Sequence, residues 1–284
     1  MNIFQSLTRI DPIEKNYAVK KMIRDSDYID NKMMFIVKSE IRLKILTELN
    51  ARPQTVKEIV DNTNMVYSSV SNNINRLELN DHVQKIDRVY EITPMTRLHF
   101  NQLMEFKKSI DVIKNFDSFW SKHKIKYLNN ELIENITELY ESRLIETNPT
   151  DIYRTHNNVK KQLKESKNVK GILPYIHPDY PELIEDILRE DGNVELIMER
   201  RIYKGIIKQI DEGIKRKSIK SGRLKIHVLN ESIELYLLIC DNSMNLGLFR
   251  NDGSYDQNRI LNCESKESLH WANTLFEDIK ERVI

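Results

Sequence analysis

The sequence predicts an α+β N-terminal domain, a long connecting helix and an α/β C-terminal domain. Two observations lead to this fold class. Residues 40–94 contain three short helical patterns followed by an alternating segment that is typical of a β-hairpin. Beyond about residue 125, helical and strand patterns alternate along the chain, as they do in α/β domains. A chain of 284 residues is long enough to form two domains with separate cores.

The first two helices of the N-terminal domain are predicted from apolar spacing and from capping residues. The first helix ends before Pro53 and has one apolar face, made of Ile41, Ile45, Leu46 and Leu49. Thr55 is a good N-cap for the second helix, and Glu58 stands at the spacing of a capping box. Both helices therefore have a defined boundary and a side that can face a core.

The third helix carries the candidate DNA contacts. Val70, Ile74 and Leu77 follow at i, i+4 and i+7, so they face the core. The other side is rich in Ser and Asn, whose mediocre helix propensity is unusual for a merely solvated surface. Asn pairs with adenine, Arg pairs with guanine, and Ser bonds base edges or phosphate. We predict DNA contacts from Ser68, Ser69, Ser71, Asn72, Asn73, Asn75 and Arg76. The alternative is an ordinary solvated helix face.

The segment 83–94 alternates like a hairpin, and Lys85 and Arg88 fall where its tip is expected. Three helices followed by a hairpin form a winged helix-turn-helix, whose third helix enters the major groove while the wing reaches flanking backbone. Lys85 and Arg88 are therefore predicted to contact phosphate, although exposed basic residues often have no specific partner. The predicted DNA-binding domain covers residues 36–94. Residues 1–35 are predicted to form an N-terminal helical arm.

Three segments of this domain, residues 55–60, 68–78 and 83–94, resemble the winged helix of archaeal and bacterial ArsR/MarR-like transcriptional regulators. The family usually has Gly in the turn before the third helix and Ser or Thr at its cap. This chain has Asn64 and Val66 at these places. Asn tolerates the left-handed conformation of such a turn, whereas Val has no side-chain group that can cap a helix. The resemblance implies double-stranded DNA as the partner.

Residues 95–124 predict one long connecting helix, because the segment contains neither Gly nor Pro. Its apolar residues recur at helical spacing and are predicted to form a dimer contact: Leu103, Phe106, Ile110, Ile113 and Trp120. Palindromic operators mirror the two-fold symmetry of the proteins that bind them, so a homodimer is expected. The alternative is that this stripe packs only on its own chain.

Residues 125–284 are predicted to form an α/β regulatory, or sensor, domain. Helices are predicted over residues 128–145, 159–165, 181–190, 203–215 and 265–282. Strands are predicted over residues 171–176, 194–198, 224–229, 235–240 and 244–250, of which the last two form a hairpin.

Ligands of α/β folds tend to bind beyond strand ends, which makes the residues after two predicted strands candidates for an effector site. These residues are Tyr175, His177, Tyr180, Arg200, Arg201 and Tyr203. The alternative is that they are partly buried structural side chains. Residues 215–225 are predicted to form a basic loop, which is either a solvated run of charges or a site for an anion or for DNA.

The order of the C-terminal elements, with residues 171–174, 194–198 and 269–277, resembles the sensor domain of archaeal methanogenesis-regulator-type proteins. Those proteins carry the same kind of N-terminal winged helix. The resemblance implies a one-component transcriptional regulator whose C-terminal domain senses a small molecule or a protein and catalyses nothing.

Composition excludes several other classes. No phosphate-binding P-loop or Gly-rich dinucleotide motif is present among the seven glycines, and no nucleophile motif or paired zinc-spaced histidines occur. Two distant cysteines predict no metal site, and neither an enzyme activity nor a cofactor is expected. The longest strongly apolar run, residues 235–240, is far too short for a membrane span, and the start has no signal-peptide pattern. A cytoplasmic protein without a membrane partner is expected.

The predicted function is a homodimeric, sequence-specific DNA-binding regulator. The formal net charge is only +1, with +4 on residues 1–125 and −3 on the remainder. Because nonspecific DNA affinity comes from neutralised phosphates, this charge predicts modest nonspecific binding. The alternative function is a protein-interaction adaptor whose winged helix binds protein and not DNA.

Overall fold

The computed structural model describes residues 31–282, so that most of the predicted helical arm over residues 1–35 lies outside the described residues. The chain divides into two compact units, with the boundary between Met104 and Glu105. Each unit has its own hydrophobic core. Among the described residues, no helix is both long enough and apolar enough to cross a membrane.

The N-terminal unit has the element order that the sequence predicts. A helix at Asn31–Val37 is followed by helices Glu40–Ala51, Val56–Thr63 and Tyr67–Leu79 and by strands β1 (Val83–Ile86) and β2 (Val89–Ile92). The two strands pair in antiparallel register, with Ile86 opposite Val89. The core is made of the residues that the periodicity indicated, among them Ile45, Leu49, Val70, Ile74 and Leu77. The predicted arrangement of three helices and a hairpin is confirmed.

The local signals around the second and third helices are also confirmed. The Thr55 hydroxyl accepts the backbone N–H of Glu58 at 3.2 Å, and the Glu58 carboxylate accepts the backbone N–H of Thr55 at 2.8 Å. This reciprocal pair is a capping box. Asn64 has φ 54° and ends the second helix in the left-handed conformation. Val66 precedes the third helix and gives it no side-chain cap.

The connecting helix is shorter than predicted. It runs over Pro94–Asn115, breaks at Phe116 and is followed by a separate short helix, Asp117–Ser121. Phe116 has φ −115° and ψ 25°, which is not helical, and its ring is buried with Phe119 in the core of the C-terminal unit. The prediction of one helix as far as residue 124 is therefore wrong beyond Asn115. Burial of the two aromatic rings overrides the local helical preference.

The C-terminal unit is built on a seven-stranded mixed sheet with the order β3-β9-β8-β7-β4-β5-β6. Its strands are β3 (Arg143–Glu146), β4 (Asn168–Leu173), β5 (Asn193–Glu199), β6 (Leu224–Leu229), β7 (Leu235–Ile239), β8 (Met244–Leu248) and β9 (Arg259–Cys263). Strands β4, β5 and β6 are parallel, and the remaining pairs are antiparallel. The longer helices are Arg154–Lys164, Tyr180–Arg189, Glu212–Lys220 and Lys266–Glu281.

Both faces of the sheet are buried. Leu237 of β7 faces a core that also contains Trp271 of the last helix. The next residue along the strand, Leu238, faces a second core, which contains Ile184 and Val159 of the other helices. Side chains of successive strand residues alternate between the faces, so β7 contributes apolar residues to both cores. Strand β7 therefore reads as a continuous apolar run, as is typical of a strand covered on both sides.

Three predictions of elements in the C-terminal unit are wrong. The predicted helix over residues 128–145 is a short helix, Asn130–Glu134, then a 3-10 turn, Ile136–Leu139, and then strand β3. The predicted helix over residues 203–215 is two helices, Arg200–Ile206 and Glu212–Lys220. The predicted basic loop over residues 215–225 is therefore helical as far as Lys220. Strands β3 and β9 have no counterpart among the predicted elements.

Candidate functional site

The third helix presents a polar surface opposite its buried face. Val70, Ile74 and Leu77 are fully buried. The predicted contact residues divide into an exposed group, Ser68, Asn72, Asn75 and Arg76, and a half-buried group, Ser69, Ser71 and Asn73. The Asn73 amide donates to the Ser69 carbonyl at 2.9 Å, so this donor is used within the helix. Asn72, Asn75 and Arg76 are therefore the best placed of the seven to meet a base edge.

The wing adds two basic side chains to the N-terminal unit. Asp87 and Arg88 form the turn between β1 and β2, where Asp87 takes the left-handed conformation with φ 54°. Lys85 and Arg88 are exposed, and the Lys85 ammonium lies 5.5 Å from the centre of the Tyr90 ring. Within residues 31–282, no carboxylate lies in ion-pair distance of Arg76, Lys85 or Arg88. These three cations are thus available to neutralise phosphate.

Apolar side chains are exposed at both ends of the third helix. Val66 is 70% exposed, Tyr67 is 59% exposed and Leu79 is 83% exposed. Val66 and Tyr67 are adjacent and Leu79 stands at the other end of the 13-residue helix, so the exposed apolar groups lie at two separate places. These residues are a second feature that distinguishes the third helix from an ordinary solvated helix.

The five residues predicted for dimerisation do not share one exposed face. Leu103 packs on the core of the N-terminal unit, and Trp120 packs on the C-terminal core and donates to the Val112 carbonyl at 3.3 Å. Ile110 is half-buried. The exposed apolar residues of helix Pro94–Asn115 are Met95 at 63%, Leu98 at 64%, Phe106 at 64% and Ile113 at 44%. At 100° per residue these four lie on one side of the helix, a set called here the exposed stripe.

A cavity lies beyond the end of β4 in the C-terminal unit, and its volume is about 350 Å³. Three of the predicted effector residues line it, namely Tyr175, His177 and Tyr180. The other lining residues are Ile152, Tyr153, Thr155, His156, Val159, Tyr236, Tyr255, Gln257, Asn258 and Ile260. We call it the tyrosine cavity. Exposed Ile152 and Tyr153, at 63% and 64%, give it an apolar rim.

The tyrosine hydroxyls of the cavity are linked. Tyr175 and Tyr180 have their hydroxyl oxygens 3.1 Å apart, and the Tyr180 hydroxyl donates to that of Tyr236 at 3.1 Å. The Tyr255 ring stacks on Tyr175 with its centre 4.8 Å away. Burial raises the pKa of Tyr180, Tyr236 and Tyr255 well above the ordinary value for a phenol. All of these phenols are therefore neutral near pH 7, so they act as hydrogen-bonding groups and not as bases.

Two histidines and an aspartate lie at the edge of the tyrosine cavity. The His156 and His177 rings stack with their centres 3.7 Å apart. The Asp179 carboxylate accepts from the Lys160 ammonium at 2.5 Å and from His156 Nε2 at 3.1 Å. These two hydrogen bonds, of which the one from Lys160 has the larger effect, lower the pKa of Asp179 to about 2. Burial, helped by the neighbouring His156, lowers the pKa of His177.

The other predicted effector residues are not part of this lining. Arg200 and Arg201 are exposed at the start of helix Arg200–Ile206, and Tyr203 packs against the adjacent core. The structure therefore brings together three of the six predicted residues. It adds His156, Tyr236 and Tyr255, which are not among the residues predicted from sequence. The one sequence feature that could have indicated any of these three residues is the phenol of Tyr236 inside the apolar run 235–240.

Three of the six basic residues of 215–225 are paired with carboxylates of the C-terminal unit. Lys215 and Arg216 both pair with Glu212, and Arg223 pairs with Asp191 at 3.0 Å. A surface whose cations are already paired attracts an anion weakly. Half of the cations of this segment are therefore already paired, whereas neither Lys85 nor Arg88 of the wing has an ion-pair partner among the described residues.

Comparison with known proteins relates the chain to a regulatory protein of methanogens. Residues 152–282 match the family model described as the middle domain of methanogenesis regulatory protein FilR1. The curated methanogenesis regulatory protein FilR1 of Methanothrix harundinacea (strain 6Ac) is 23% identical over 250 residues, which are 86% of this chain and 55% of that protein. The chain thus spans about half the length of this relative. The predicted resemblance to methanogenesis regulators is supported, whereas the ArsR/MarR resemblance stays a prediction.

Solved structures give weaker likenesses. One is TrmBL2, described as an archaeal chromatin protein with a novel mode of DNA binding, at a TM-score of 0.38 and 14% identity, covering 85% of this chain and 92% of that chain. Another is the phosphatidylserine synthase of Haemophilus influenzae Rd KW20, at a TM-score of 0.35 and 14% identity, covering 75% and 52%.

Proposed function

We propose that this protein is a DNA-binding transcriptional regulator whose C-terminal unit binds an effector. The observation that carries the proposal is the exposed Asn72, Asn75 and Arg76 surface on the third helix, in the same unit as a wing with exposed Lys85 and Arg88. The similarity to a methanogenesis regulatory protein over most of the chain supports the same class. A cytoplasmic location follows from the proposal, because the DNA partner is there.

Base recognition and phosphate recognition are assigned to different parts of the N-terminal unit. Asn72 and Arg76 lie one helical turn apart, so they reach neighbouring base pairs of a major groove that holds the third helix. Asn forms two hydrogen bonds with adenine, and Arg forms two with guanine. Lys85 and Arg88 of the wing bind flanking phosphates, which positions the helix without reading sequence.

The proposal includes a homodimer formed through the exposed stripe of helix Pro94–Asn115. Four large apolar side chains on one side of an exposed helix favour burial against a partner. A second copy of the chain offers the same stripe, and a two-fold axis then presents two third helices to a palindromic operator. Leu103 and Trp120 have no role in this contact, because they are packed on their own chain.

The tyrosine cavity is the proposed effector site, and no catalytic step is assigned to it. A concave site with an apolar rim and a few polar groups suits a small organic molecule. The neutral phenols of Tyr175 and Tyr180 and the imidazole of His177 supply the hydrogen bonds that fix its orientation. The effector then shifts the equilibrium between forms of the protein that differ in affinity for DNA.

The test uses duplexes selected from a random library and measures binding by fluorescence anisotropy. Asn72→Ala and Arg76→Ala should each lose sequence discrimination by roughly 5- to 150-fold, the equivalent of about 1–3 kcal/mol per base contact. Arg143→Ala is the matched control, because this side chain is 69% exposed on edge strand β3. Unchanged discrimination in both third-helix variants, with intact thermal unfolding, contradicts the proposal.

A protein-interaction adaptor is the second candidate, and the exposed Val66, Tyr67 and Leu79 favour it. Apolar side chains at the ends of the third helix suit a protein groove better than a polar groove of DNA. The library selection and the anisotropy assay distinguish the two functions. For an adaptor, Asn72→Ala leaves DNA binding unchanged, and no duplex is selected from the library.

A further inference from the structure

We infer that His156, His177 and Asp179 form a binding site for a divalent first-row transition-metal ion at the edge of the tyrosine cavity. One ligand atom of each residue lies within 4.8 Å of those of the other two. His156 comes from helix Arg154–Lys164, whereas the other two residues come from the segment between β4 and the next helix. Two imidazoles and one carboxylate are a ligand set that suits Zn²⁺, Co²⁺ or Ni²⁺.

The distances are close to those of a metal site. Two ligands held roughly 2.1 Å from a tetrahedral ion lie about 3.4 Å apart. His156 Nε2 and the Asp179 carboxylate oxygen are 3.1 Å apart, so this pair already has the required spacing. The His156 and His177 rings are stacked at an interplanar angle of 16°, and an ion in the plane of both rings requires one ring to tilt. The χ2 torsion of His is broad, so a ring can tilt, at the expense of the present stacking and of the bond that His177 Nδ1 accepts.

The Lys160 ammonium already neutralises the Asp179 carboxylate and would compete with a metal ion for it. This ammonium bonds the Asp179 carboxylate oxygen that also accepts from His156. The Lys160 side chain is 38% exposed, so it can swing into solvent when a divalent ion takes its place. Histidine coordinates as the neutral ring through a nitrogen that carries no proton. The Nδ1 atom of His177 accepts the Asp179 backbone N–H at 3.2 Å, so that nitrogen has such a lone pair. Binding therefore replaces three contacts, namely those of the Lys160 ammonium and the His156 Nε2–H with the Asp179 carboxylate and that of the Asp179 backbone N–H with His177 Nδ1. The proton of His156 Nε2 moves to Nδ1 of the same ring or is released to solvent.

The ion would leave at least one coordination position open. Three protein ligands do not complete a tetrahedral site, and the remaining position is taken by water or by a ligand. His156 and His177 line the tyrosine cavity, so this position is next to the proposed effector site. The metal site itself does not depend on DNA binding, and it is tested without DNA.

The test is equilibrium dialysis of the full chain against Co²⁺, with the metal content measured by mass spectrometry and the coordination followed by visible absorption. We expect one Co²⁺ per chain from this site. The His177→Ala and Asp179→Asn variants should bind at least tenfold more weakly. The Lys160→Met variant should bind more tightly than the wild type, because the competing ammonium is gone. The control is His270→Ala, whose imidazole pairs with Glu138 and is 72% exposed.

Two results overturn the inference. If neither the wild type nor Lys160→Met binds Co²⁺ stoichiometrically, the cluster is a set of ion pairs and nothing more. If His177→Ala and Asp179→Asn bind as the wild type does, the ion is held elsewhere in the chain. Circular dichroism and thermal unfolding of each variant show whether the fold is intact, so that loss of binding by misfolding is recognised. A metal-binding protein that selects no DNA duplex would retain the inference and contradict only the proposed function.

Discussion

The exposed stripe of helix Pro94–Asn115 makes the proposed dimer sensitive to one substitution, Phe106→Ser. The Phe106 side chain is 64% exposed in the single chain. A Phe side chain has roughly 200 Å² of surface, so about 130 Å² is left to be buried against a partner, which at about 25 cal/mol per Å² amounts to about 3 kcal/mol. Two-fold symmetry removes both rings at once, so the dissociation constant should rise by at least about 100-fold.

Sedimentation equilibrium over a range of protein concentrations measures this change. Ile219→Ser is the matched control, because Ile219 is 52% exposed on the helix Glu212–Lys220 and lies outside the stripe. Neither exposed site contributes much to the core, so thermal unfolding should be the same for both variants. A wild-type chain that stays monomeric at high micromolar concentration, or a Phe106→Ser variant that associates as strongly as the wild type, refutes the dimer.

Three further predictions concern the caps, the wing and the cavity. Thr55→Ala removes the hydroxyl that caps the second helix and should lower the free energy of unfolding by about 1 kcal/mol, as measured by urea titration. Lys85→Ala and Arg88→Ala should weaken binding to all DNA sequences alike, and each should reduce the slope of log K against log salt concentration by about 1; a sequence-dependent loss contradicts this role. Tyr180→Phe breaks the hydroxyl chain to Tyr236 and should cost about 1–3 kcal/mol of stability in calorimetry, since a buried polar group loses its partner.

The N-terminal unit could be predicted from sequence because its signals are local. The capping box of Thr55 and Glu58 acts over three residues, and Asn64 takes the left-handed turn within its own segment. The buried side of the third helix follows from the spacing of Val70 and Ile74 alone. Capping, turn chemistry and periodicity agreed with one another, and such agreement is what specifies a structure.

The elements that were predicted wrongly depend on contacts that are distant in sequence. The break at Phe116 has no Gly or Pro to mark it, and it exists because the ring is buried in the C-terminal core. Strand β3 is held by pairing with β9, where Leu144 lies opposite Leu261 across more than a hundred residues. Cross-strand pairing is invisible in a local pattern, and Leu132 and Leu139 nearby imitate a helical repeat.

Only part of the lining of the tyrosine cavity could be predicted, because the rest depends on contacts that are distant in sequence. Tyr175 and His177 were found because they lie at the end of a predicted strand and directly after it, which is a local rule. His156 belongs to a polar helix, and nothing in the residues beside it in sequence indicates a partner. Only the fold brings it within 3.1 Å of Asp179, which is 23 residues away. The sequence therefore indicated where a ligand would bind but not the cluster that could hold a metal.

The most direct test of the proposed function is selection of DNA by the purified wild-type chain from a library of random duplexes, followed by anisotropy on the enriched sequence and on a scrambled duplex of equal length. The proposal predicts a two-fold symmetric motif bound at least 100-fold more tightly than the scrambled duplex, a difference of about 2.7 kcal/mol, with a modest dependence on salt. Absence of any enriched motif, with equal and weak binding to both duplexes, would contradict it.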